Sequence, residues 1–130
     1  MDVDYLIIGR TEVAFQTHPE EWQVTETVSN KMMALQLGKE VDITAGSCML
    51  SKRAIDYIIK YSKCRMTDGE WPMIIKTFTD LNIDYVAVNG LIYVNKLNQD
   101  NVIDPIKSWA IRLELSYIIS QSILKLAKPL

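Results

Sequence analysis

The chain has few cysteines and histidines, the residues that form zinc sites or, as disulfides, cross-link a small fold. There are two cysteines, Cys48 and Cys64, and one histidine, and their spacing does not match a zinc site. The sequence therefore argues against a cysteine–histidine metal centre. Both cysteines are predicted to be free thiols in a reducing compartment, which predicts a cytoplasmic location.

The chain also lacks an excess of basic residues and a long apolar run. Its 14 lysines and arginines are outnumbered by 16 acidic residues, which argues against a nucleic-acid partner because such a partner requires a basic face. Residues 1–4 are acidic where a signal peptide would be basic. The longest apolar segment is interrupted by Arg112, Glu114 and Lys125, so no transmembrane segment is predicted.

The length and composition are those of one folded domain. With 130 residues, of which 48% are hydrophobic and 23% charged, the chain is long enough to bury a core. We therefore predict a single domain over residues 1–130. No internal repeat or linker divides it.

The pattern of apolar residues predicts an α/β fold. Apolar spacings of three and four predict four helices, which cover residues 20–37, 52–60, 71–81 and 106–126. A β-branched run predicts a strand over residues 3–9, and Asn89-Gly90 predicts a hairpin of strands 83–88 and 91–94. The expected architecture is a three-layer-like sandwich with a small mixed sheet, made of one parallel strand plus the hairpin.

The start of the third helix allows two interpretations. Thr67 and Glu70 match a capping box, which would place Pro72 inside the helix. A start near Trp71 instead places Pro72 in the first turn, where proline is tolerated. We favour the start near Trp71.

Three groups of residues resemble parts of a known family. They are the strand 4–10 with Arg10 at its end, the turn Asp42–Cys48 between two helices, and the acidic segment Thr67–Pro72. Together they resemble the second half of GT-A-type (family 2-like) nucleotide-sugar glycosyltransferases, the group that includes the polyprenyl-phosphate sugar transferases. In that family the turn shapes the acceptor side of the site, and a later acid removes the proton of the acceptor hydroxyl.

The resemblance implies a set of site residues and a reaction. The candidate catalytic acids are Asp68 and Glu70, whose pKa values the helix dipole is expected to lower, so that both stay ionised. The candidate substrate-binding residues are Arg10, His18, Trp22, Asp42, Thr44, Gly46, Ser47 and Trp71. The implied function is sugar transfer from a nucleotide-sugar donor to an acceptor in the complete enzyme.

The chain departs from the family pattern in ways that limit what is implied. Ala45, Ser47 and Cys48 stand where the family commonly has a serine, an aromatic residue and an arginine, so a lipid-phosphate acceptor is not implied. The family holds a divalent cation (Mn or Mg) with an Asp-x-Asp motif that follows a strand. Here residues 2–4 lie at the beginning of the strand and not after it, so we expect a solvated terminus and no metal held by this chain. The donor-binding part is then expected either elsewhere in a longer protein or in a partner protein.

Two alternatives remain beside the transferase. The first is a non-catalytic α/β module that binds a ligand or forms a homo-oligomer through helix 106–126, which is apolar on more than one face. Local interpretations of the same residues are a surface ion pair for Arg10, a self-capped turn at Asp42 and helix capping at Asp68. The second is an unrelated small protein with a coincidental turn, which would lose support if Thr44 and Asp68 lined one cleft.

Overall fold

The computed structural model describes residues 3–63, 66–94 and 104–130. Three strands and five helices occur in these ranges, and no helix there is long and apolar enough to cross a bilayer. In chain order they are β1 (Tyr5–Arg10), α1 (Glu12–Phe15), α2 (Glu20–Leu37), β2 (Ser47–Leu50), α3 (Lys52–Tyr61), α4 (Thr67–Phe78), β3 (Ile83–Val88) and α5 (Pro105–Leu124). The predicted α/β class is confirmed.

The strands form a mixed sheet in the order β2-β1-β3. Strand β1 is antiparallel to β2 and parallel to β3, which confirms a small sheet with one parallel pair. Tyr5 lies opposite Leu50 on one side and Ile83 on the other. Strand β2 was not predicted, because its four residues are too few to show an alternating pattern.

The hydrophobic core lies on one face of this sheet. Tyr5 and Ile7 of β1 point into it, and the four long helices supply most of the remaining side chains. Met49 and Val86 belong to the opposite face, where they are 50% and 41% exposed. The core helices of the described residues thus pack on one side of the sheet, which agrees at the general level with the predicted α/β sandwich around a small mixed sheet.

Local signals fix the ends of three helices close to the predicted positions. Helix α2 has the predicted bounds and ends at Gly38, whose φ of 74° is left-handed and favours glycine. Helix α3 follows Ser51, whose hydroxyl accepts a hydrogen bond from the N–H of Ala54 at 3.2 Å. Helix α5 follows Asp104, whose carboxylate accepts a hydrogen bond from the N–H of Ile106 at 3.0 Å.

Helix α4 begins earlier than expected, at Thr67 rather than Trp71. Met66 occupies the cap position without a side-chain hydrogen bond, so the predicted capping box at Thr67 does not form. Pro72 consequently lies inside the helix. The missing N–H of Pro72 removes the hydrogen bond to the carbonyl of Asp68, and the proline ring crowds the same carbonyl, which in a helix interior costs about 3 kcal/mol or more.

The predicted hairpin at Asn89-Gly90 is wrong. Strand β3 pairs in parallel with β1, and the second predicted strand is absent from the described residues that follow β3. Asn89 Oδ1 accepts a hydrogen bond from the Thr11 hydroxyl at 2.7 Å, and the N–H of Tyr93 donates to Thr17 Oγ1 at 2.9 Å. These contacts hold residues 89–93 against the α1 region, so the segment after β3 does not pair with β3.

Candidate functional site

A cleft of about 290 Å³ lies where β1, α2, α4 and α5 meet, and we call it the Asp68 cleft. Half of the predicted site residues line it, namely Arg10, His18, Trp22, Thr44 and Asp68. Thr44 and Asp68 thus share one cleft, as the family resemblance requires. The interpretation of the turn as a coincidence loses support.

The packing of α2 against α5 builds one wall of the cleft. Ser29 of α2 is fully buried, and its hydroxyl oxygen lies 3.3 Å from the hydroxyl oxygen of Ser116 in α5. Ser116 also donates a hydrogen bond to the carbonyl of Thr25 at 2.6 Å. Because these side chains are small, the two helices approach closely and present neighbouring residues to the same space.

The turn before β2 brings the backbone against Asp68. Gly46 has a φ of 77°, which is left-handed and accessible mainly to glycine. A Cβ atom added at Gly46 would lie 4.0 Å from Oδ2 of Asp68, so the turn is next to the carboxylate. The predicted glycine turn is therefore placed directly beside the predicted acid.

Asp68 is a partly buried acid whose pKa is raised. It lies in the first turn of α4, half-buried, and its carboxylate accepts no hydrogen bond from the described residues. Burial raises its pKa, and the negative charges of Glu26 and Asp42 raise it further. The expected lowering by the helix dipole is wrong for Asp68, because desolvation and two nearby carboxylates outweigh the dipole.

Glu70 points away from the cleft. It is 3% exposed, and its carboxylate accepts hydrogen bonds from the Ser62 hydroxyl and, at 2.8 Å, from the N–H of Lys63. It lines a separate cavity with Tyr61 and Phe78. Glu70 therefore joins the end of α3 to α4, and the structure does not bring it together with Asp68.

Arg10 and Asp42 form a buried ion pair below the turn. Arg10 Nε donates to Asp42 Oδ2 at 2.7 Å, and Nη2 donates to Oδ1 at 2.9 Å and to Thr44 Oγ1 at 2.8 Å. Burial alone would raise the pKa of Asp42, but the hydrogen bonds and charge of Arg10 outweigh it and lower that pKa. Because Asp42 occupies the arginine fork, these two residues hold the turn in place, and Arg10 is not free for a phosphate.

Glu26 is a cleft residue that the sequence reasoning missed. Its Oε1 accepts a hydrogen bond from Arg10 Nη2 at 3.4 Å, whereas its buried Oε2 has no hydrogen-bond partner among the described residues. Burial raises the pKa of Glu26, with Arg10 opposing the rise. The available signal was its position four residues after Trp22 in α2, which places both on one face.

Three aromatic rings form a cluster at the rim of the cleft. The Trp22 ring centroid lies 5.7 Å from that of His18 and 5.3 Å from that of Tyr93. His18 Nδ1 lies 3.1 Å from the carbonyl oxygen of Ala14, and the hydrogen bond requires the tautomer with a proton on Nδ1. Tyr93 was missed because the sequence placed it in a hairpin.

Arg112 of α5 completes this rim. The carbon at the centre of its guanidinium lies 3.5 Å from the Trp22 ring centroid. Burial lowers the pKa of Arg112, while the charges of Glu26 and Glu21 act in the opposite direction. In the sequence Arg112 is only an interruption of the apolar pattern of α5, so the pattern does not indicate a site residue.

Ser47, Gly46 and Trp71 lie on the other side of Asp68. They line a small cavity of about 60 Å³, of which Asp68 is also part. The indole Nε1 of Trp71 is buried and has no hydrogen-bond acceptor among the described residues. Trp71 is thus next to the candidate base but outside the cleft that holds His18 and Trp22.

The described residues do not fit the divalent cation that the resemblance implies. They contain no group of three or more metal-ligating side chains placed to hold an ion. Asp4 is 3% exposed and accepts hydrogen bonds from the Ser51 hydroxyl at 2.8 Å and from Arg53 at 3.1 Å. The expected solvated terminus is therefore wrong for Asp4, while Asp2 and Cys64 lie outside the described residues.

Comparison of the chain with protein-family models, with curated proteins and with solved structures finds no match. The glycosyltransferase resemblance is consequently still a prediction from the sequence.

Proposed function

We propose that this chain forms the acceptor side of a glycosyl-transfer site in which Asp68 is the general base. One observation carries the proposal: the unbonded carboxylate of Asp68 lies against the Gly46 turn, in the cleft lined by Thr44 and Trp22. A carboxylate in such a place can accept a proton from a hydroxyl group that enters the cleft. The aromatic cluster at the rim offers apolar surface against which a sugar can pack.

The proposed reaction joins an acceptor hydroxyl to the anomeric carbon of a nucleotide sugar. The hydroxyl oxygen forms a bond to that carbon while the bond from the carbon to the diphosphate oxygen breaks. Asp68 takes the hydroxyl proton, and the nucleoside diphosphate leaves with the electron pair. The contribution of this chain is to bind the acceptor and to hold the base; the divalent cation stays an implication of the resemblance, and no step above depends on it.

The buried ion pair of Arg10 and Asp42 favours the assignment of Asp68 as the base, because it holds the neighbouring turn in place. Asp42 and Arg10 neutralise each other and fix Thr44, so the turn keeps its place beside Asp68. Rigid support of this kind is what a base needs, since proton transfer requires a hydrogen-bond distance to the reacting hydroxyl. The cytoplasmic location remains a prediction.

The direct test is transfer by the full-length protein with a panel of UDP- and GDP-sugars, with and without manganese. Released nucleoside diphosphate is measured against a panel of monosaccharide acceptors. Replacing Asp68→Asn should lower kcat by about 100-fold or more while the KM for the acceptor stays nearly constant, because a base acts in the chemical step. The wild-type rate should fall as the pH drops through the raised pKa of Asp68, since only the ionised form accepts a proton.

A matched control is Asp56→Asn. Asp56 lies on α3 with its side chain 64% exposed, and it does not line the Asp68 cleft. Its replacement removes the same charge and should leave kcat unchanged. Equal rates for the Asp68 variant and the wild type, or a loss of the same size in the Asp56 variant, would overturn the proposal.

A second candidate function is self-association, which one surface of α5 favours. Ile106, Leu113, Tyr117 and Leu124 lie on the side of α5 away from its buried residues, and each is more than half exposed. Their spacing of seven, four and seven places them in one stripe along the helix. We propose that a second copy of this chain covers this stripe, and that the Asp68 cleft is present in each copy.

A further inference from the structure

Arg112 is a cation in the Asp68 cleft that forms no ion pair with a carboxylate of the described residues. Within the described ranges, no acidic oxygen lies within 4.0 Å of its side-chain nitrogens, whereas Arg10 in the same cleft is bound by Asp42 at 2.7 Å. The two arginines therefore have different roles. Arg10 holds the protein's own turn, and the donors of Arg112 are left for something else.

The two acidic residues whose charges act on Arg112 each have one oxygen bonded elsewhere, and Glu26 keeps a second oxygen without a hydrogen-bond partner among the described residues. Glu21 Oε1 accepts a hydrogen bond from the Ser108 hydroxyl at 2.9 Å, and Glu26 Oε1 accepts one from Arg10 at 3.4 Å. Both charges act on Arg112 from a distance, but neither forms an ion pair with it. A ligand anion would thus not have to displace an internal partner.

The guanidinium is held in one orientation before any ligand arrives. The central carbon of the guanidinium lies over the Trp22 ring, 3.5 Å from its centroid, and the Trp22 and Tyr93 rings form a T-shaped pair with centroids 5.3 Å apart. Tyr93 is tied to the α1 region through its N–H, which donates to Thr17. Stacking occupies the face of the guanidinium and leaves its in-plane N–H donors, which match the oxygens of a carboxylate or a phosphate.

The surroundings of Arg112 strengthen such a contact. Arg112 is partly buried, and Leu91, Ile92 and Leu115 line the same cleft. Apolar side chains exclude water and lower the local dielectric, which makes an ion pair with a bound anion stronger than it would be in water. Burial also lowers the pKa of Arg112, as expected for a cation without an ion-pair partner.

We propose that Arg112, held flat on Trp22, is an anion-binding subsite, and that the molecule entering the Asp68 cleft carries a carboxylate or a phosphate group. The cleft volume of about 290 Å³ is at the lower end of the ~300–1,000 Å³ typical of small-molecule sites, so the ligand is the size of one sugar ring. Asp68 repels the anionic group and Arg112 attracts it. A hydroxyl group at the other end of the ligand is thereby directed to Asp68.

The identification of this ligand as the sugar acceptor rests on the proposed function, whereas the binding of an anion at Arg112 does not. The test therefore uses binding alone, with no donor and no transfer. Glucose, glucuronic acid and glucose 6-phosphate are titrated into the full chain at constant physiological ionic strength, and Trp22 is followed through its indole N–H signal by NMR. Constant salt is needed because screening weakens ion pairs.

At least one of the two anionic sugars should bind about tenfold or more tightly than glucose, the gain expected for a charge-assisted bidentate pair. Preference for glucuronic acid alone would identify a carboxylate ligand, and preference for glucose 6-phosphate alone a phosphate ligand. Arg112→Gln should reduce this preference to less than about threefold, since the cation is lost. Arg112→Lys keeps the charge without the planar fork and should retain only part of the preference.

The matched control is Lys107→Gln, which removes one positive charge from the exposed side of the same helix. It should leave the anion preference unchanged. The inference is overturned if none of the three sugars binds, if glucose binds as tightly as both anionic sugars, or if Arg112→Gln keeps the preference. It is also overturned if Lys107→Gln loses the preference to the same extent, because the effect is then one of general charge.

The result can be separated from that of the transfer test. Asp68→Asn should abolish transfer but keep, or slightly increase, the anion preference, because a repelling charge is removed. Loss of transfer with retained anion preference supports both proposals. Anion preference in a protein that shows no transfer with any donor supports the subsite and contradicts the transferase.

Discussion

At the scale of single residues, the Asp42 carboxylate near the cleft accepts hydrogen bonds from several parts of the chain. It accepts hydrogen bonds from the Arg10 side chain, from the Arg10 backbone N–H at 3.0 Å, and from Asn30 Nδ2 at 3.0 Å. The Asn30 side chain in turn accepts a hydrogen bond from the N–H of Ile43 at 2.7 Å. Asp42 thereby joins β1, α2 and the turn before β2.

Replacing Asp42→Asn should destabilise the protein strongly. The change leaves the buried guanidinium of Arg10 without its carboxylate, and breaking a buried pair in this way typically costs about 3–5 kcal/mol. Urea unfolding followed by circular dichroism measures the free energy. Asp84→Asn, whose side chain is 60% exposed, should change it by less than about 0.5 kcal/mol. Equal losses in the two variants would contradict a structural role for the Asp42 pair.

Replacement of Asp68 should have the opposite effect, a gain in stability whose size depends on pH. Its pKa is raised in the folded protein, so the stability that its protonated form provides is present at low pH and lost as the pH rises through the raised value. Asp68→Asn should therefore increase the free energy of unfolding at pH 7, and the gain should vanish below the ordinary pKa of 3.8. Urea unfolding across this range tests it, and a less stable Asn variant at pH 7 would contradict the buried environment of Asp68.

At the scale of elements, the crossing of α4 and α5 positions both sides of the cleft. Gly69 of α4 lies against α5 so closely that a Cβ atom there would be 2.7 Å from the backbone oxygen of Ile119. Asp68 precedes this glycine, and Arg112 belongs to the other helix. The distance between the proposed base and the proposed anion subsite thus depends on how tightly the two helices pack.

Gly69→Ala should separate the helices and destabilise the fold by about 1–3 kcal/mol, as overpacking commonly does. The same change should weaken the anion preference, because Asp68 on α4 and Arg112 on α5 line one cleft whose shape depends on this packing. Gly90→Ala is the control, since a Cβ atom there meets nothing within 4 Å. Thermal unfolding and the sugar titration together test this, and unchanged stability of the Gly69→Ala variant would contradict the close packing.

Sequence reasoning succeeded for elements whose ends are set by neighbouring residues. Gly38 and Ser51 end and begin helices through contacts within one turn, and the predicted bounds of α2 and α3 agree closely with the structure. The hairpin failed because Asn89 and Tyr93 bind residues near α1, far away in the sequence. Long-range contacts overrode a strong local signal.

The same distinction holds for the site. The turn with Thr44 and the acid Asp68 could be proposed because each lies in a short motif that resembles a family. Glu26 and Arg112 belong to ordinary helices, and only the packing of α2 against α5 brings them to one cleft. The residue pattern within either helix does not predict that Glu26 and Arg112 line the same cleft.

At the scale of the whole molecule, the described surface includes an exposed apolar stripe on α5. The stripe on α5 is exposed along its length, with Leu113 at 65% and Tyr117 at 63%. Exposed apolar patches of this kind mark contacts with other molecules. Self-association through α5 would cover this stripe.

Sedimentation velocity over a concentration series should show a dimer that Leu113→Glu converts to a monomer, because a buried charge at the centre of the stripe is unfavourable. Val13→Glu is the control, since Val13 is 73% exposed on α1, outside the stripe. It should leave the dimer intact. A wild-type chain that stays monomeric at all concentrations would contradict self-association and leave the cleft proposals untouched.

The measurement that tests the central claim most directly is NMR mapping of the ¹⁵N-labelled chain during titration with monosaccharides. If the Asp68 cleft receives the acceptor, the signals of the Gly46 amide, the Asp68 amide and the Trp22 indole N–H should shift together with one binding constant. Shifts confined to other surfaces, or no shift with any sugar, would contradict the claim that this cleft is the acceptor side of a transfer site.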